Sequence, residues 1–157
     1  MDLSPFHLRQ YRAAMHAANQ RYLNALSVVG DPAPAYQQVQ ELVGPKQAGP
    51  RRIGGFNPAR REDVQLFRAV LQGDHLVKGF YNSDIRRLLY RVSGDEPVDS
   101  PTVRRQRAAV GRQLRKLHVR GLVAKIPNTR RWQVTARGHQ LLGTCVQLYY
   151  HGLTTAA

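Results

Sequence analysis

Beyond Asp99 the chain contains no Asp or Glu. The 58 residues that follow hold eleven Arg and Lys, so they carry +11 of the formal +14. Residues 1–99 hold 13 basic and 10 acidic side chains, a net of only +3. A half without carboxylates has no acid–base pair to offer a substrate, and its charge points to a polyanionic partner. Cysteine is almost absent. The single Cys145 excludes an internal disulfide, and its apolar surroundings mark it as a small core residue. No run of about 18 apolar residues occurs, so no membrane span is expected. The basic face has no exposed aromatic-rich apolar counterpart, which argues against a membrane surface. The opening MDLSPFHLRQYR lacks a basic segment followed by an apolar run and is not expected to act as a secretory signal.

Catalytic signatures are missing as well. There is no GxxxxGK[ST] phosphate loop, no GxSxG, no HExxH and no CxxC. The six His are scattered, and His7 and His16 have no partner at ligand spacing. Asp95, Glu96 and Asp99 lie in the turn-rich VSGDEPVD and read as a solvated loop rather than a metal cluster. Tyr11, Tyr22, Tyr81, Tyr90, Tyr149 and Tyr150 offer hydroxyls, but sequence assembles no Arg/His constellation around any of them. No enzyme activity, cofactor or metal is expected.

What is present is concentrated in residues 100–137. Ser100 suits a helix N-cap and Pro101 the first helical position, and Gly121 stands where a helix would stop. Between them Val103, Val110, Leu114 and Leu117 fall within roughly 60° of one another and predict one buried stripe. The opposite face collects Arg105, Ala108, Ala109, Arg112, Arg115 and Lys116. The alanines let the backbone come close to a nucleic-acid surface, while the arginines can fork onto phosphate or guanine. After Gly121 the period changes from helical to two. Leu122, Ala124 and Ile126 alternate with Val123 and Lys125, and Pro127–Arg130 forms a turn. Trp132 and Val134 then alternate with Arg131, Gln133 and Thr135, which predicts a short hairpin with cations at its tip. Thr135 suits the cap of a final helix.

This pattern resembles the winged helix-turn-helix of bacterial regulators such as the MarR and PadR families. The carried residues are Leu117, Gly121-Leu122-Val123, Lys125-Ile126-Pro127, Arg131-Trp132, Val134-Thr135 and Gly138, and the resemblance spans about residues 56–150. The chain is also similar to the C-terminal part of longer bacterial proteins associated with mobile elements. The resemblance implies a mainly α fold with a small β-wing, a cytoplasmic, nucleoid-associated location and duplex DNA as partner.

The rest of the chain is read around that module. Residues 1–43 form an N-terminal helical extension, with Leu8, Tyr11, Met15, Ala18, Tyr22, Ala25 and Val29 at heptad spacing. It reads equally as a helix packed on its own chain and as a two-fold dimer contact. Within it a shorter amphipathic piece, Ala35–Val43, sets Tyr36, Val39 and Val43 on one face. Residues 44–55, rich in Gly and Pro, read as a flexible linker whose Lys46, Arg51 and Arg52 make either a basic arm or merely a soluble connection. The winged-helix domain then covers residues 56–157. Asn57-Pro58 opens a helix with Val64, Phe67, Val70 and Leu71 inward, and Gly73 ends it. His75–Phe80 is expected to be extended. Asn82 caps a helix over Ser83–Arg91 with Ile85, Leu88 and Leu89 inward. The last helix, from Ala136 to about Tyr150, carries an apolar face wider than a small domain covers alone. It calls for the N-terminal helix, a second copy of the chain or a larger protein partner.

The expected interface is residue-specific. Arg105, Arg112 and Lys116 reach the groove, and Arg104 beside them also binds nucleic acid. Arg115, Lys125, Arg130 and Arg131 take phosphates, and Arg86 and Arg87 on the preceding helix clamp the backbone. The function expected is sequence-influenced binding of double-stranded DNA, in transcription regulation or mobile-element maintenance. The alternative is a non-catalytic RNA-binding or assembly component of a nucleoprotein complex. That alternative lacks an aromatic stacking platform, since the only Trp is Trp132.

Overall fold

The computed structural model describes residues 32–92 and 100–154. The heptad-spaced helix of residues 5–29 and most of the acidic loop, residues 93–99, lie outside them. Within the described residues the chain is mainly helical with two small antiparallel hairpins. In chain order the elements are α1 (Pro32–Val43), β1 (Lys46–Ala48), β2 (Arg51–Ile53), α2 (Arg61–Val70), α3 (Gly73–Lys78), α4 (Asn82–Tyr90), α5 (Pro101–Val119), β3 (Val123–Lys125), β4 (Trp132–Val134) and α6 (Ala136–Thr154).

α5 forms where the sequence places it. Ser100 Oγ accepts from the Val103 amide at 3.2 Å and Pro101 takes the first turn, where a missing N–H costs nothing. Val103, Val110, Leu114 and Leu117 are all buried, so the predicted stripe is the core-facing one. Val110, Leu114 and Leu117 meet Phe67 and Val70 of α2, Ile85 of α4 and Leu141, Leu142 and Cys145 of α6 in one cluster. Burying side chains of this size contributes roughly 1.5–3 kcal/mol each. That contribution is what makes an arginine-rich helix fold at all.

β3 and β4 pair with Val123 opposite Val134 and Lys125 opposite Trp132. Phe80 adds one further bridge, its amide donating to Trp132 O and its carbonyl accepting from the Trp132 amide, both at 2.8 Å. The segment expected to be extended from His75 to Phe80 is instead α3 up to Lys78, and only Phe80 joins the sheet. Asp74 in the first turn favours the helix. Gly79, at φ 67° and ψ −173°, then turns the chain abruptly into the bridge. Thr135 caps α6 as expected, accepting from the Gly138 amide at 3.0 Å while donating to Gly121 O at 2.7 Å.

Three boundaries differ from the sequence reading. Asn57-Pro58 forms a turn rather than a helix start. Asn57 Oδ1 accepts from the Ala59 amide at 2.9 Å, and the helix begins at Arg61. That helix ends at Val70, and Gly73 opens α3 instead of closing α2. In α4 the N-cap is Tyr81, whose amide donates to Asp84 Oδ2 at 2.7 Å. Its buried face holds Ile85, Arg86 and Leu89, so Leu88 lies well to one side and is exposed.

Residues 44–55 are not a linker. β1 and β2 form a hairpin with Lys46 opposite Ile53 and Ala48 opposite Arg51. Strands of three residues leave no period to read, which is why Gly and Pro dominate the sequence signal. Nor is α1 a separate arm. Leu42 is buried in the common core, its carbonyl accepts the Phe56 amide at 2.7 Å, and Glu41 pairs with Arg137 of α6. Val43, expected inward, is exposed. The wide apolar face of α6 is thus covered by α1 and α2, while Leu148 and Tyr150 remain exposed.

Two glycines separate packing from propensity. An alanine Cβ at Gly79 would lie 2.5 Å from Trp132 O, in a backbone region that is essentially glycine-only. Gly79→Ala should therefore destabilise the fold by about 1–3 kcal/mol. At Gly111, inside α5, the nearest neighbour would be Asn82 Nδ2 at an ordinary 3.6 Å. Gly111→Ala should stabilise by about 0.5–1 kcal/mol through helix propensity. Urea unfolding of the two variants checks both signs. The buried Cys145 thiol is pushed up to about 12 by desolvation. Its reaction with a thiol reagent at pH 8 should follow the unfolding rate, not the reagent concentration.

Candidate nucleic-acid interface

The stripe of α5 fixes what its other face does. With the buried side settled, Arg104, Arg105, Arg112 and Arg115 are all solvent-exposed. No carboxylate exists on this helix or after it to neutralise them. Ala108 and Ala109 interrupt the cations with short side chains. An α-helix is about the width that enters a major groove, and a forked guanidinium fits phosphate or guanine edges.

The remaining expected residues divide into three groups. Lys125, Arg130 and Arg87 are exposed, with Lys125 Nζ 5.1 Å from the Trp132 ring centroid. Lys116 and Arg131 are half-buried and already engaged. Lys116 Nζ sits 3.9 Å above the Phe56 ring, and burial lowers its pKa against the opposing pull of Asp63. Arg131 Nε donates to Tyr81 Oη at 2.9 Å and Nη1 to Lys78 O at 3.2 Å, so this arginine ties the second hairpin to the turn before α4. Arg86 makes the third group. It is buried between α4 and α5 and donates to Gln106 Oε1 at 3.0 Å, so it braces the two helices and is not presented as a phosphate clamp. Asn82 Nδ2 donates to the Arg107 carbonyl at 3.2 Å across the same contact.

Comparison with known protein families, curated proteins and solved structures gives no match. The interface therefore rests on its own geometry.

Arg120, which the sequence pattern does not single out, anchors the first hairpin beside this face. It caps the C-terminal end of α5 and is only 4% exposed. Its Nη2 donates to Gly44 O at 2.7 Å and Gly54 O at 3.1 Å, the carbonyls just outside the two ends of the first hairpin. The guanidinium lies 5.7 Å from the Phe56 ring, and burial lowers its pKa. Its place three residues after Leu117, on the margin of the buried stripe, was the available signal. The carbonyls that receive it come from far away in sequence and leave none. Hydrogen bonds from a charged donor contribute about 1.5–3 kcal/mol each. Arg120→Met should therefore release the first hairpin. Its amides over Lys46–Ile53 should exchange at least about tenfold faster, while those of β3 and β4 keep their protection. Unchanged exchange would mean that the hairpin holds itself.

Proposed function

We propose that the chain binds double-stranded DNA through a winged helix-turn-helix, with α5 as the recognition helix and β3–β4 as the wing. The observation that carries this reading is the exposed face of α5, where arginines stand over alanines with no carboxylate on the helix. The element order supports it too. α2, α3, the Phe80 bridge, α4, α5 and the β3–β4 hairpin follow one another as helix, short helix, single bridging residue, helix, helix and wing. Arg104, Arg105 and Arg112 are assigned to the groove, and Lys116 to its edge because Phe56 restrains it. Arg115, Arg87, Lys125 and Arg130 take phosphates. Arg131 holds the wing in place and reaches the backbone only with what its two bonds leave free. Transcription regulation and mobile-element maintenance are the processes such a module serves, and both remain proposals by analogy.

If about six to eight phosphates are neutralised, log affinity should fall against log salt with a slope of about −5 to −7. Arg112→Ala should cost about 1–3 kcal/mol on the preferred sequence and much less on random DNA, whereas Arg130→Ala should weaken both similarly. Fluorescence anisotropy on selected and scrambled duplexes measures these differences. Equal losses everywhere would remove base reading from α5. A folded RNA that outcompetes duplex DNA at one salt concentration would overturn the duplex reading.

A further inference from the structure

The two hairpins stand on opposite sides of α5. Residues on a helix are set 100° apart, so Lys116 and Arg120 lie about 40° from each other and His118 about 160° from both. Lys116 and Arg120 face the first hairpin and its base: Phe56 under Lys116, Gly44 and Gly54 on Arg120. His118 faces the second. Its Nδ1 is 3.0 Å from Val123 O, and its ring meets Trp132 edge-on at 5.5 Å between centroids. Of the two arcs between these contacts, one holds the buried stripe. The other holds Arg104, Arg105, Arg112 and Arg115.

The first hairpin has the composition of the second. Lys46, Arg51 and Arg52 are exposed, and residues 44–55 contain no Asp or Glu. Ala48 and Ile53 are half-buried, so one face of the hairpin packs inward; their partners Arg51 and Lys46 leave that face at its exposed edges, and Arg52 stands on the opposite face. Its base is held by Arg120, whose guanidinium loses several kcal/mol of hydration on burial and regains part of it from the two carbonyls. A cationic element already held in place binds phosphates with less ordering entropy to lose.

We infer that the β1–β2 hairpin is a second phosphate-binding element, gripping the backbone on the flank of α5 opposite the wing through Lys46, Arg51 and Arg52. A duplex seated on α5 is then held along both strands that border the groove. This inference rests on the reading of α5 as a duplex-binding helix, and the experiment separates the two.

Two full-length variants are compared with the wild type by hydroxyl-radical footprinting on one duplex and by the salt dependence of affinity. One carries Lys46→Gln, Arg51→Gln and Arg52→Gln; the other carries Lys125→Gln and Arg130→Gln. All five side chains are exposed, and an unchanged thermal melt confirms that each variant folds. The first variant should lose protection at one edge of the footprint and the second at the opposite edge. The salt slope of the first should become shallower by about 2–3. A first variant with the wild-type footprint and slope overturns the inference while leaving the α5 reading standing. Loss at the same edge in both variants overturns the straddling geometry. A wild type that protects no duplex overturns both readings.

Discussion

Arg120 donates to Gly44 O and Gly54 O from the last turn of α5, and this one contact ties the first hairpin to the arginine-rich helix. On its N-terminal side it fixes the base of a hairpin whose strands are too short to stand alone. On its C-terminal side the chain turns at Gly121 directly into β3, whose neighbour β4 takes Phe80 as a third partner. α1 is held from the other direction by Leu42 in the core and by Glu41 on Arg137. The first hairpin, the second hairpin and α6 are thus all referenced to one end of one helix. A shift of α5 would move every cationic element together. That is the condition for a surface that binds a rigid, repeating polyanion.

Charge placement follows from the same arrangement. Apart from Glu41, which reaches Arg137, three of the described carboxylates are used locally. Asp84 receives the Tyr81 amide at the start of α4, Asp63 receives the Asn57 amide before α2, and Glu62 pairs with Arg60. Such groups complement the positive ends of helices, where anions are favoured. None is left on α5, whose own capping is done by the neutral Ser100. A charged cap would have stabilised that helix further by the same mechanism. Its absence keeps the face free of an internal competitor for phosphate.

Some of this was legible in the residues, and the division has a physical basis. The stripe of α5, the inner face of α2, the cap at Thr135 and the turn after Ile126 all depend on neighbours within one or two turns of chain. Those local patterns were read correctly. The failures share the opposite property. Arg86 and Arg120 look like surface cations because their acceptors, Gln106 and two glycine carbonyls, are 20 to 76 residues away. Leu88 looks like a core residue until Arg86 takes the inner side of α4. The first hairpin hid behind its Gly and Pro because three-residue strands show no alternation. The candidate site was therefore legible as a helix face and illegible as a shape. Sequence supplied the exposed arginines of α5, and tertiary contacts decided which other cations stand beside them.

That distinction bears on how many of the cations can contribute to binding. A formal charge of +14 overstates the available positive surface. Arg86 and Arg120 are structural, Arg137 is paired with Glu41, Arg60 with Glu62, and Arg131 is divided between Tyr81 and Lys78. Among the described residues, the other exposed cations stand mostly on α5, on the β3–β4 tip and on the β1–β2 hairpin, elements that meet along one helix, while Arg61, Lys78, Arg87 and Arg91 stand outside them. A diffuse coat of charge would attract any polyanion in any orientation, with affinity set by net charge alone. Cations concentrated on one helix and its two borders, on a scaffold that immobilises their bases, favour one orientation over the others. Orientation must be fixed before base edges can be compared, because phosphate contacts set the register in which side chains meet the groove. In the proposed reading the buried arginines act on recognition indirectly: Arg86 braces α4 on α5, Arg120 braces the first hairpin on α5, and both set where the exposed cations stand.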